Sequence, residues 1–390
     1  MNRNVWLLAL CQALLMTGNI VLISVNGLIG QALSPSPEWV TLPVATQFVG
    51  LMLATLPASF IMAKIGRRRG FVLGNLIGIC GAGLCFFALS LAHFWLFTFG
   101  TLLLGVGIGF GTLYRFAAVE VADEKARSRA ISISMAGGVL AAVLGPNLAI
   151  QSQNWLPGVE FQGAFLGVMG LYIVSLGVLR VIELPPAASQ KDVEPMNPAS
   201  VIAQRPGYLL AVLAGTVAYM VMNLLMTVTP MAMMRCGFDF TQAAVVIEWH
   251  VLGMFVPAFF TGHLIDKIGA RNTILLGGTI LVACILVNFN GITIWHFRVA
   301  LLLLGVGWNF MFIAATQLLT RTYEMKDKAK AQAMNEFVVF GSVTVTSLMS
   351  GWLEVTIGWQ MLNLVMLPIV ALTMVVFFAS SRTLKQVTAS

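Results

Sequence analysis

Two pairs of soft-donor side chains stand four residues apart: Met222 with Met226, and His250 with Met254. Residues at i and i+4 of a helix stack on one face, so each pair can present two donor atoms together. Three thioethers and one imidazole, with no carboxylate among them, select a soft cation, Cu(I) first. Hard ions such as Mg²⁺ and Ca²⁺ want oxygen ligands and are disfavoured. A neutral donor set also binds an ion without adding a fixed buried charge. Met231, Met233, Met234 and Cys236 follow Met226 directly and are placed to pass an incoming ion inward. Against this, methionine makes up 21 of the 390 residues, so an isolated MxxxM on an apolar helix is more often packing than ligand. A lone intramembrane histidine divides evenly between a hydrogen-bonded core residue and a ligand. The combination, not any single residue, carries the expectation of metal ligation.

Other groups suit other chemistries. Trp308, Asn309, Gln317, Asn19, Asn26 and Tyr114 offer stacking and hydrogen bonding to an organic solute, the alternative to an ion. Among ionisable residues inside apolar stretches, Glu248, Glu336 and Arg115 are candidates for coupling transport to a second ion. Arg115 and Glu120 lie close to a helix end, where pairing and snorkelling also account for them; Glu336 lies in the second turn of its helix, where the dipole favours an acid. No nucleophile–base pair, phosphate-cradling loop or closed metal site is visible, so an enzyme is not expected and no cofactor is implied. The five cysteines, Cys11, Cys80, Cys85, Cys236 and Cys284, form no CxxC pair, which argues against a disulfide scaffold or a zinc site.

The elements that must carry these groups are set by composition. With 58% hydrophobic and 9% charged residues, the chain has lipid for most of its solvent, since soluble domains carry about 25% charged residues. Apolar stretches of bilayer-spanning length recur throughout and must be helical, because lipid cannot satisfy backbone polar groups. The expected spans are 5–32, 39–62, 70–92, 94–119, 128–150, 161–182, 208–232, 240–265, 271–292, 294–320, 330–355 and 359–381. The first follows Arg3 with no small-residue cleavage site and reads as a retained helix. Nineteen of the 22 Lys and Arg fall on the side of the termini, with Arg235 and Arg298 opposite and Arg115 inside a span. The positive-inside rule places both termini in the cytoplasm. This asymmetry accounts for the net charge of +7 without a nucleic-acid partner. On these spans His250 and Met222 lie about 15 Å, and Met226 about 9 Å, from the outer membrane face.

Residues 183–207 form the long polar, proline-rich stretch and separate a six-helix half at 1–182 from another at 208–390. An offset of 203 residues carries Gly50 onto Gly253, Lys64 onto Lys267, Gly66 onto Gly269, Lys125-Ala126 onto Lys328-Ala329 and Gly138 onto Gly341; LLLGVG at 102–107 recurs at 302–307. Two such halves are the layout of a transporter with its site near the bilayer midplane. The loop Gly262–Arg271, with Asp266, Lys267, Gly269 and Arg271, fits the GxLaDrxGrr pattern, and Ser59–Arg68 is its partner with Ala63 in place of the acid. By these residues the chain resembles the major facilitator superfamily. The resemblance implies an all-α membrane fold of twelve helices in two pseudo-symmetric halves, and a gate built from Asp266, Lys267 and Arg271 that is complete only in the second copy. Thr101 stands where many proton-coupled drug antiporters of the family carry Arg, which argues against drug efflux. The order MxxxM in span seven and HxxxM in span eight resembles the CcoA-like copper importers. That resemblance implies copper as transported substrate, uptake across a bacterial inner membrane by alternating access, and a cytoplasmic copper acceptor. Relatives of that group include proteins assigned to riboflavin uptake. The chain is expected to act as a monomer in the bilayer.

Overall fold

The computed structural model describes residues 3–122, 127–157, 159–184 and 197–380, without the side chains of 56, 115, 116, 119, 127–136, 325 and 329. Fourteen α-helices follow one another among the described residues: α1 (Arg3–Leu33), α2 (Leu42–Ile65), α3 (Arg67–Ser90), α4 (Phe94–Gly111), α5 (Tyr114–Glu120), α6 (Arg127–Ser152), α7 (Gln162–Val181), α8 (Ala199–Ala203), α9 (Tyr208–Arg235), α10 (Phe240–Phe255), α11 (Ala258–Ile268), α12 (Ala270–Asn290), α13 (Ile294–Thr320) and α14 (Lys328–Ala379). Eight are long and apolar enough to cross a bilayer, and two bent pairs reach that length together. Of the eight, α14 is two helices merged across Gly358, whose φ of 76° breaks the helical path. The 26 residues of α6 make about 39 Å of helix, also enough to cross. The fold is the all-helical one expected, and its count is consistent with twelve spans.

Besides the bend in span two, two further spans are interrupted where the sequence reads as continuous. Span four divides at residues 112–113 between α4 and α5. Span eight bends by 43° between α10 and α11, at Pro257, which has no N–H to donate and whose ring crowds the preceding turn. Asn309 of α13 repairs the bend: its Nδ2 donates to the Met254 carbonyl at 2.6 Å, and the Thr261 hydroxyl lies 2.6 Å from its Oδ1. Both ends of the Asn309 amide are thus engaged in holding the bend.

The backbone clusters into two compact units. One comprises Met1–Ser189, Pro230–Glu248 and Ser347–Trp352; the other comprises Gln190–Thr229, Trp249–Thr346 and Leu353–Ser390. In each, glycines let helices approach closely enough for backbone contact. A Cβ at Gly105 would collide with the carbonyl of Gln47, and one at Gly305 with the carbonyl of His250. A Cβ at Gly50 would strike the Leu102 carbonyl, and one at Gly253 that of Leu302. The repeat read from the sequence thus recurs as packing, with Gln47 and His250 at equivalent places, 203 residues apart. Gly66 and Gly269, also 203 apart, end α2 and α11 with φ of 88° and 84°, values that suit glycine.

Candidate functional site

An aromatic group forms where α9, α13 and α14 meet in the second unit. Gly215 marks the junction, its missing side chain leaving ordinary contact distance to Ala315, Phe312 and Val339. One turn on, Tyr219 stands edge-on to Trp308 (centroids 5.3 Å, 85°) and to Phe312 (4.9 Å, 81°), with Phe340 at 5.8 Å. Trp308 and Phe312, four residues apart on α13, are stacked at 5.0 Å and 13°. Trp308 lies fourteen residues into α13, about 21 Å along it and so near mid-membrane. Its Nε1 is buried without a hydrogen-bond partner, as are Thr216 Oγ1 and Gln317 Oε1. A buried polar atom left unpaired costs about 1–3 kcal/mol. Aromatic faces around an unpaired indole donor are what a flat, polar-edged ring needs. Of these residues the sequence singles out Trp308 and Gln317; Tyr219, Phe312 and Phe340 were missed, though the i, i+4 spacing of Trp308 and Phe312 was a usable signal.

The four soft donors all belong to the second unit and are all buried: Met222 is 3%, Met226 4%, Met254 9% and His250 0% exposed. The His250 Nδ1 lies 3.0 Å from the Leu301 carbonyl, which can only accept, so Nδ1 carries the proton and Nε2 is left with a lone pair. Nε2 is buried and has no hydrogen-bond partner. Among the described residues no cluster of three or more His, Cys, Asp or Glu could hold a metal. Near the end of α9, Met233 is buried while Met234 and Cys236 are exposed. Glu248 and Glu336 are half-buried, and Glu336 has an interaction partner. The Arg115 side chain lies outside the described residues.

Asp266 and Lys267, at the end of α11, are exposed. Among the described residues neither makes an ion pair. Arg271 instead reaches the last turn of α14, with Nε donating to the Phe377 carbonyl at 3.0 Å and Nη2 to that of Phe378 at 3.1 Å. Its repeat mate Arg68 does the same for α7, donating to the Leu179 and Arg180 carbonyls at 2.9 and 2.7 Å. The last carbonyls of a helix have no intrahelical donor and carry its negative dipole end, so a guanidinium there satisfies both. The neighbouring Arg67 pairs with Glu120 at 2.6 Å, so the first copy, which lacks an acid at Ala63, draws one from α5.

In the first unit Tyr114 is packed away. It stacks on Phe71 at 4.1 Å and accepts from Asn75 at 2.8 Å. The polar residues Asn19 and Asn26 of α1 converge on Gln47 of α2: Gln47 Nε2 donates to Asn19 Oδ1 at 2.8 Å, and Asn26 Nδ2 donates to Gln47 Oε1 at 2.9 Å. Gln47 was not anticipated, although the 203-residue offset that aligns the halves places it on His250.

Comparison with known proteins agrees with this architecture. The chain is 38% identical over 376 residues to the riboflavin transporter RfnT of Brucella anthropi, covering 96% of this chain and 94% of that one. Among solved structures, a variant of the fucose:proton symporter FucP of E. coli superposes with a TM-score of 0.65 at 15% identity, covering 97% of this chain and 98% of that one. An auto-inhibited POT-family peptide transporter superposes with a TM-score of 0.69 at 12% identity, covering 98% and 97%. These two likenesses show the fold. A profile of the Major Facilitator Superfamily matches residues 8–248 and 211–389. By that match and by the relative it resembles along nearly its whole length, the chain belongs to the major facilitator superfamily and is a multi-pass membrane transporter, not an enzyme.

Proposed function

We propose that this transporter takes up riboflavin, or a solute sharing its flat tricyclic ring, across a bacterial inner membrane. The observation that carries the reading is the mid-membrane aromatic group of Tyr219, Trp308, Phe312 and Phe340 with the unpaired Nε1 of Trp308. The likeness to a riboflavin transporter along nearly the whole chain supports it. Together these favour an organic ring over the copper ion expected from the Met and His spacing. In cells that cannot make riboflavin, expression should give saturable riboflavin uptake. Trp308→Ala should raise KM by about five- to 150-fold, as loss of a stacking face worth about 1–3 kcal/mol requires, and Trp308→Phe should raise it less. Uptake by wild-type protein no greater than in cells without it would remove this reading.

Copper remains a second reading because of one observation: the buried lone pair of His250 Nε2, oriented by a carbonyl on Nδ1. A metal-binding histidine is commonly held in this way. Gln47, its repeat mate, reaches across to α1, and the helix that corresponds to α1 in the repeat is α9, which carries Met222 and Met226. Cellular copper measured beside riboflavin in the same cells separates the two readings.

A further inference from the structure

The polar residues of α1 form a stripe. Gln12, Asn19 and Asn26 recur every seven residues, which keeps them within about 40° of one another around the helix. Asn19 lies sixteen residues from the start of α1, about 24 Å along it, at mid-membrane. A polar stripe at that depth is costly against lipid and marks a solute or ion path. Gln12 and Asn26 are 7% and 0% exposed, and Gln12 Oε1 and Asn26 Oδ1 have no hydrogen-bond partner.

The amide chain Asn26–Gln47–Asn19 has a direction. As it stands, Asn26 donates to Gln47 and Gln47 donates to Asn19, which leaves one acceptor, Asn26 Oδ1, unpaired and buried. Reversing all three amides would bury the Asn26 NH₂ instead, leaving two donors unsatisfied, so the first direction is the cheaper one. Its consequence falls on Asn19, which is half-buried. With Oδ1 committed to Gln47, Asn19 has its two N–H donors left over, and among the described residues nothing accepts from them.

We infer that Asn19, oriented by Gln47 and Asn26, is a specificity-determining residue that donates hydrogen bonds to an acceptor edge of the solute. This rests on the riboflavin reading, since the ring of riboflavin carries carbonyl oxygens and imine nitrogens along one side. Gln47 and Asn26 are positioning residues.

Riboflavin uptake by Asn19→Asp and Asn19→Leu tests this. The aspartate still accepts from Gln47 but, ionised, offers no donor; the leucine keeps volume and suits a membrane helix. Both should raise KM about tenfold, the worth of one hydrogen bond of about 1.4 kcal/mol, with maximal rate and membrane level unchanged. If the relay only pins α1 to α2, Asn19→Asp keeps the wild-type KM, and that result overturns the inference. A wild-type KM in Asn19→Leu overturns it as well, even where the aspartate variant is poorly expressed. Either outcome leaves riboflavin uptake by the wild type standing, whereas no uptake by the wild type removes both.

Discussion

Asp327 shows how one side chain fixes a loop. It is 0% exposed, accepts the Asn197 backbone N–H and Nδ2 at 2.8 Å each, and meets Arg205 Nη2 at 2.7 Å. Lys330 in turn donates to the Asn197 carbonyl at 3.0 Å. This ties the residues just before α9 to the connection between α13 and α14. Burial pushes the Asp327 carboxyl up, but the two Asn197 bonds and the Arg205 charge outweigh it and hold it below the ordinary carboxylate value. A depressed carboxylate lends stability above its unfolded pKa, and that contribution is lost as pH falls through the lower folded value. Asp327→Asn, which also turns one acceptor into a donor facing Arg205, should therefore lower the melting temperature in detergent at neutral pH. The gap to wild type should narrow below about pH 4, where the unfolded carboxyl protonates. A gap that stays constant from pH 7 to pH 3 would mean that the carboxylate's charge is not what holds the loop. At the same scale, Met226→Leu conserves volume, so packing alone costs below roughly 1.5 kcal/mol. If the soft donors carry an ion, copper accumulation falls in both Met226→Leu and His250→Ala; on the riboflavin reading copper is unchanged in both.

Among elements, the paired arginines at the starts of α3 and α12 are the clearest product of the repeat. Arg68 and Arg271 each cap the end of a helix two or more spans away, a contribution of about 1 kcal/mol apiece. Arg68→Gln and Arg271→Gln should each lower the detergent melting temperature by roughly 2 °C, and a variant with no loss at either site would leave the capping role unsupported. The loop around Arg271 was legible in the sequence as a motif, but its partner was not, because the carbonyls it serves are more than a hundred residues away. The same holds for Asn309: its amide repairs a bend that Pro257 announces, yet nothing in the sequence pairs the two. Helices were legible because a lipid solvent leaves a twenty-residue apolar run one option. The break at Gly358 falls between the spans expected at 330–355 and 359–381, whereas the break inside span four was not legible, since residues 112–113 lie in a stretch whose hydropathy hardly changes. For the site, single residues of unusual type such as Trp308, Asn19 and His250 were visible. The aromatic neighbours of Trp308 were hidden among the 25 Phe and 5 Tyr of the chain.

For the whole molecule the two capping arginines bear on orientation. Arg68 joins the start of α3 to the end of α7, and Arg271 joins the start of α12 to the end of α14, so in each unit these two ends lie at one membrane face. Lys64, Arg67, Arg69, Arg180 and Lys267 sit at the same helix ends, and this clustering of positive charge is the physical content of the asymmetry read from the loops. A cytoplasmic leaflet rich in anionic lipid attracts such a face by about 1 kcal/mol per basic residue. The opposite loops, with Arg235 and Arg298 alone, have little to set against it. A reporter fused at Ser390 should accordingly read cytoplasmic, and one inserted at Thr293, in the short turn between α12 and α13, should read as outside. A cytoplasmic signal at Thr293 together with an outside signal at Ser390 would invert the topology, and matching signals at both would break the count of spans between them.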